Sequence, residues 1–248
     1  MRAGIVDYRM GNLASVSKAL EKVGAESFVS GDPDALAGSD LVVLPGVGNF
    51  AAGMANLQSA GLDGFVREWA AAGKPLLGIC MGMQLFFEHS EEGDTKGLGI
   101  LPGRVVRLQG GSGGVAALRG HGSPAPEAAI PPKKGGSGGV AALRGHGSPA
   151  PEAAIPPKKG HVKVPHMGWN TLRDTVGFLR AFEERYFYFV HSYACVPSAG
   201  AVAARTTYDE TFASAVASGS VVGVQFHPEK SSHDGLALLT GALRTLTG

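Results

Sequence analysis

The strongest constraint on the fold is an alternation that runs from the N-terminus to residue 79. AGIVDY (3–8), DLVVLPG (40–46) and KPLLGI (74–79) are short, continuously apolar runs. LASVSKALEKVG (13–24) and LDGFVREWAAAG (62–73), which lie between them, carry apolar residues at helical spacing. Strands with no polar face must be buried on both sides, so this order predicts a mostly parallel sheet with helices on both faces. Asn12 is placed to cap the first helix and Gly24 to end it. Farther on, YFYFVHSYA (186–194), AVAARTTY (201–208), FASAVAS (212–218) and VVGVQF (221–226) are more closely spaced strands. They predict an antiparallel section in the second half, before a final helix that follows Ser231 and Ser232. A chain of 248 residues makes one such domain, or at most two.

The third apolar run ends on Gly78-Ile79-Cys80-Met81-Gly82, with a helix-like pattern after it. This is the spacing of a strand-turn-helix elbow that lifts a nucleophile above the end of a sheet. Glycines on either side admit a bend where a Cβ would clash. Taken alone, the motif is equally compatible with a buried structural cysteine.

A thiol nucleophile needs a base for its proton and a group to orient that base. His227 directly follows the apolar run VVGVQF, and in parallel-sheet proteins sites are built at strand ends. Glu229 lies two residues on, so in an extended segment it projects to the same side and can fix the imidazole. A surface turn with an incidental His and Glu is the alternative if the pair is read without the cysteine. Attack on an amide also creates an oxyanion that needs backbone N–H donors. Met81, just after the thiol, is one candidate, and Gly46-Val47-Gly48 at the end of the second strand is the other. Gly46-x-Gly48-x-x-Ala51 also fits a dinucleotide fingerprint, but no acidic residue ends a following strand at the required distance.

Two motifs are decoys. Ser15-x-x-Lys18 has a β-lactamase-type spacing without its partner motifs. Ser232-His233-Asp234 has triad residue types in adjacent positions, which cannot face one another on a helix, so a helix cap is expected there. One segment stands outside the alternation: GGSGGVAALRGHGSPAPEAAIPPKK occupies 110–134 and recurs unchanged at 135–159. Its Gly and Pro content predicts a flexible tandem insertion at 110–159 within the one domain of 1–248. His121 and His146 have no metal-ligand spacing around them, and the basic character of each copy allows at most a weak tether. The whole chain carries 22 basic and 21 acidic residues, a balance that gives no electrostatic footprint for nucleic acid. Cys80 and Cys195 are too few for a disulfide framework, and no apolar run approaches the roughly eighteen residues of a membrane span. A cytoplasmic protein is expected.

GICMGMQ, PGVG and QFHPE, in this combination, resemble the triad (class I) glutamine amidotransferases. DYRMGNL (7–13), PHMGWN (165–170) and HPEKSS (227–232) narrow the resemblance to the glutaminase subunits of imidazole glycerol phosphate synthase. The similarity covers roughly 1–109 and 160–248; it departs at the repeat, and at Met81, where the family more often has leucine. It implies a three-layer α/β fold and a Cys80-His227-Glu229 triad that hydrolyses glutamine to glutamate and ammonia. It implies that the ammonia passes to a separate (β/α)8-barrel cyclase subunit, making a heterodimer that serves histidine biosynthesis. Gln84 and His191-Ser192-Tyr193 match positions that hold glutamine, although Tyr193 also suits a core role in an aromatic strand. Asn12, Trp169 and Lys230 match positions that face the cyclase, and Trp169 also suits a structural role. No cofactor, metal, nucleic acid or membrane is implied. Two other readings stay open on sequence: a glutaminase serving another synthase, and a non-catalytic regulator on the same fold.

Overall fold

The computed structural model describes residues 1–109, 163–198 and 200–248, so the expected flexibility of the 110–159 repeat lies outside the described residues. In chain order the elements are β1 (Arg2–Val6), α1 (Leu13–Lys22), β2 (Glu26–Ser30), α2 (Pro33–Ala37), β3 (Leu41–Gly46), α3 (Phe50–Ser59) and α4 (Leu62–Ala71). β4 (Leu76–Cys80), α5 (Met81–Gln84), β5 (Phe87–Ser90), β6 (Thr95–Lys96) and β7 (Leu101–Arg107) follow. After the repeat come β8 (His166–Thr171), β9 (Tyr186–His191), β10 (Tyr193–Pro197), β11 (Val202–Tyr208), β12 (Glu210–Ser218), β13 (Val221–Val224) and α6 (Ser232–Thr247).

The main sheet runs β2-β1-β3-β4-β13-β12-β10-β7-β5-β6, with β11 paired to β12. Its first five strands are parallel, and β13–β12, β12–β10 and β10–β7 are antiparallel. Successive residues of β3 alternate between the two cores: Leu41 and Val43 pack with α1 and α6, while Val42 and Leu44 pack with α3 and α4. That alternation is why the strand had to be apolar throughout, and it yields the expected three layers. Among the described residues no helix is long and apolar enough to cross a membrane.

Three local expectations change. The helix-like pattern after Cys80 is only one turn long, because Phe87–Ser90 leaves it to pair with β7. YFYFVHSYA is two strands, not one. β9 pairs with β8 in a separate two-stranded sheet, β10 joins the main sheet, and Ser192 is the hinge between them. No side chain caps α6: the hydroxyl of Ser231, its N-terminal neighbour, bonds elsewhere. Asn12, by contrast, caps α1 as expected, its Oδ1 accepting the Ser15 N–H at 3.3 Å.

Candidate active site

The sheet register gathers the chemistry at one edge. β3 and β13 flank β4 in parallel, Gly46 is paired with Cys80, and Val224 is paired with Ile79. The C-terminal ends of three neighbouring strands therefore deliver PGVG, the thiol and His227 to the same place, where parallel sheets place ligands.

Cys80 has φ 55° and ψ −114°, a conformation costly for any residue with a Cβ, by about 1–3 kcal/mol. The strain sits on the nucleophile itself, and the flanking glycines serve close approach. A Cβ on Gly82 would strike the Leu44 carbonyl oxygen, and one on Gly78 would lie 2.6 Å from the Phe86 ring. Met81 N–H opens α5 and so has no partner within the helix. Gly46 is also held tightly: a Cβ there would meet the Tyr8 hydroxyl and lie 3.0 Å from Gly82 N. The Tyr8 hydroxyl in turn donates to the Pro45 carbonyl at 2.6 Å. The freedom in this turn lies at Gly48, with φ +101°, beside the exposed Val47.

His227 Nδ1 is 2.7 Å from Glu229 Oε1, with both side chains only 2% exposed. A carboxylate only accepts, so Nδ1 carries the proton and Nε2 is left to take one. Nε2 has no hydrogen-bond partner. Burial of the ring opposes its charged form, but the nearby Cys80 and Glu229 more than offset this and raise the His227 pKa well above its ordinary value. The site therefore favours an imidazole that holds a proton beside the Cys80 sulfur, as the base partner of a thiol nucleophile must. The backbone is pinned as well, since His227 N–H donates to the Tyr188 carbonyl at 2.9 Å.

A cavity of about 270 Å³ opens over the thiol, lined by Val47, Gly48, Cys80, Met81, Gln84, Glu92, Pro165, Val190, His191, Ser192 and Tyr193. Every residue expected to hold glutamine is in that lining, and Gly46 lies at the strand end behind it. Gln84 Nε2 donates to the Tyr193 carbonyl and to Gln225 Oε1, both at 2.9 Å. The three expected partner-facing residues lie outside the cavity. Asn12 and Lys230 are exposed, Trp169 is half-buried edge-on to Tyr188, and the Pro228–Lys230 turn packs beside α1 and β9.

The glutamine amidotransferase class-I family model matches residues 5–240. The chain belongs to the class-I glutamine amidotransferases. Among its relatives, the imidazole glycerol phosphate synthase subunit HisH of Halalkalibacterium halodurans is 41% identical over 95% of this chain and 92% of that protein. The subunit of the same name from Geobacillus kaustophilus is also 41% identical, over 99% and 97%. Solved structures share the fold at lower identity. A glutamine amidotransferase matches with TM-score 0.61 and 17% identity over 99% of both chains. The PurLQS structure from Thermotoga maritima matches with TM-score 0.58 and 19% identity, over 99% of this chain and 96% of that one.

Several residues around the Cys80 thiol of this class-I glutamine amidotransferase were not apparent from the sequence. Gln225 is fully buried, and its Nε2 lies 3.7 Å from Cys80 Sγ. Ser231 Oγ donates to the His227 carbonyl at 2.6 Å and accepts the Tyr188 N–H at 3.0 Å. Glu92 supplies the cavity's one ionic lining group among the described residues. The signal for Gln225 and Ser231 was adjacency to His227 within QFHPEKSS; nothing in the sequence pointed to Glu92.

Proposed function

We propose that this chain is the glutaminase subunit of an imidazole glycerol phosphate synthase and acts in histidine biosynthesis. Three things support the assignment: family membership, the names of relatives matched over nearly their whole length, and the motifs DYRMGNL, PHMGWN and HPEKSS. The observation that carries the chemistry is the convergence of a strained thiol and a carboxylate-bound imidazole on adjacent strand ends.

Glutamine enters the cavity with its α-ammonium toward Glu92 and its side-chain amide over Cys80. Cys80 gives its thiol proton to His227 Nε2 and its sulfur attacks the amide carbon, forming a C–S bond and an oxyanion as the C=O π bond opens. Met81 N–H and a backbone N–H of the Gly46-Val47-Gly48 turn receive the oxyanion. The imidazolium of His227 gives its proton to the leaving nitrogen, so ammonia departs and a thioester remains. His227 then takes a proton from water as the water attacks the thioester; the C–S bond breaks, glutamate leaves, and His227 returns the proton to the Cys80 sulfur. Glu229 holds Nδ1 throughout, keeping Nε2 as the exchanging atom. The ammonia goes to a separate cyclase subunit, which makes imidazole glycerol phosphate and aminoimidazole carboxamide ribotide. Asn12, Trp169 and Lys230 belong to the face that meets that subunit.

The isolated chain is slow and is activated when liganded cyclase shifts Val47-Gly48, the part of the oxyanion turn with conformational freedom. The test is to co-purify the chain with the cyclase, then measure glutamine-dependent synthesis and glutamate release with and without cyclase ligand. Formation of a complex with ligand-stimulated glutamate release is the expected result. No complex, or equal rates in all conditions, would contradict the assignment or the activation respectively.

A further inference from the structure

His166, in the PHMGWN strand, is buried outside the cavity with its ring sandwiched between Phe189 and Tyr208, at 4.7 and 3.9 Å between centroids. Apolar stacking of this kind would be met by phenylalanine. The ring nitrogens are instead both engaged. His166 Nδ1 lies 3.0 Å from His191 Nε2, and His191 Nδ1 lies 2.8 Å from the Tyr193 carbonyl oxygen.

The direction of each bond follows from its end. A carbonyl only accepts, so His191 carries its proton on Nδ1 and presents a lone pair at Nε2. His166 must then donate from Nδ1, which leaves its own Nε2 as an acceptor, 3.3 Å from Asn170 Nδ2. Asn170 is held in the matching orientation: its Nδ2 also donates to the Thr207 carbonyl at 3.0 Å and its Oδ1 accepts the Thr171 N–H at 2.8 Å. Both rings are neutral. Burial, then the neighbouring His191, lowers the His166 pKa to about 2; burial lowers that of His191 to about 4, aided by His227 and opposed by the Tyr193 bond. The result is a one-way chain, Asn170 to His166 to His191 to the Tyr193 carbonyl. That carbonyl also accepts from Gln84 Nε2, and Gln84 is tied through Gln225 toward the thiol.

We propose that His166 is a positioning residue of the glutamine site: acting through His191, it fixes the Tyr193 carbonyl and with it the Gln84 carboxamide that faces the substrate. Without its proton, His191 Nε2 is an orphaned buried acceptor, and the ring can turn or exchange tautomer to find another donor. The inference rests on the reading of the cavity as a glutamine pocket. It concerns a wall that holds the bound amino acid and not the reacting atoms, so its loss acts on KM more than on kcat.

The test uses the complex with the cyclase subunit and compares His166→Phe with His166→Asn. Phenylalanine keeps the stack and removes the donor; asparagine keeps a donor near the position of Nδ1. We expect His166→Phe to raise KM for glutamine about tenfold, the scale of one orphaned buried hydrogen-bonding group, with kcat changed less than threefold. His166→Asn should recover most of the loss. An unchanged KM in His166→Phe, or equal impairment in both variants, would overturn the inference while leaving the wild-type glutaminase intact. Absence of glutaminase activity in the wild-type complex would overturn the reading of the pocket itself. A second measurement needs no variant: nitrogen-15 imidazole resonances at pH 7 should show both rings neutral and protonated on Nδ1. A charged ring, or a proton on Nε2 of either, would refute the chain.

Discussion

Replacing Ser231 with alanine removes a single hydroxyl, yet that hydroxyl is half of the clamp that locates the His227 imidazole. Its oxygen donates to the His227 carbonyl at 2.6 Å and accepts the Tyr188 N–H at 3.0 Å, while the His227 N–H bonds the Tyr188 carbonyl at 2.9 Å. In Ser231→Ala the His227 carbonyl keeps the Lys230 N–H at 3.0 Å, but the Tyr188 N–H loses its partner. One lost hydrogen bond and one partly buried orphan donor together cost about 2–3 kcal/mol. For a domain of this size that lowers Tm by roughly 5–10 °C. If half of that energy holds the imidazole over the thiol, kcat falls about tenfold. KM changes little, because in the proposed mechanism His227 acts on the transferred proton and not on the bound amino acid. The assay is thermal unfolding together with glutamate release in the presence of cyclase. A variant within 1 °C and within twofold of wild type in kcat would refute the clamp.

Gly82→Ala forces a Cβ against the Leu44 carbonyl, a backbone atom with no rotamer to yield, so β3 must retreat from the elbow. We expect a loss of about 2 kcal/mol or more and slowed alkylation of Cys80, whereas Gly64→Ala, with nothing within 4 Å, should be neutral or stabilising. Deleting 110–159 should leave Tm unchanged or slightly raised, measured beside cyclase affinity. The described ends meet at one hairpin, where the Gln109 N–H bonds Glu210 and the Tyr208 hydroxyl bonds the Lys163 carbonyl. A clear loss of stability would show that the repeat packs as structure. Between pH 6.5 and 4.5 the unfolded chain protonates His166 and His191 while the folded chain does not, so both lower stability as pH falls. His166→Phe should flatten that fall by up to about 1.4 kcal/mol per pH unit, read as unfolding free energy against pH.

Cys80, His227 and Glu229 stood out in the sequence because their pattern is written locally: a thiol between glycines at a strand end, and an imidazole two residues from a carboxylate. The layers were legible for a similar reason, since β3 is apolar at every position and needs cover on both faces. β2 was missed because ESFVS is an edge strand with no fully buried residue, so nothing forced it to be apolar. The break of YFYFVHSYA at Ser192 leaves no trace in composition; it exists because β8 and β7 claim different halves of one aromatic run. Gln225 stands beside His227 in QFHPE and His166 within PHMGWN, but what each side chain does was not legible for the same kind of reason. The groups they serve, Cys80 and His191, are 145 and 25 residues away in the chain, and only the fold brings them within bonding distance.

The central claim is that Cys80 acts on glutamine alone, while a separate subunit uses the ammonia. It is tested most directly by assaying Cys80→Ala in complex with the cyclase, with glutamine and with ammonium salt as alternative nitrogen donors. The account predicts that glutamine-dependent synthesis and glutamate release disappear while ammonia-dependent synthesis continues at the wild-type rate. Glutamate release by Cys80→Ala near the wild-type rate would contradict it.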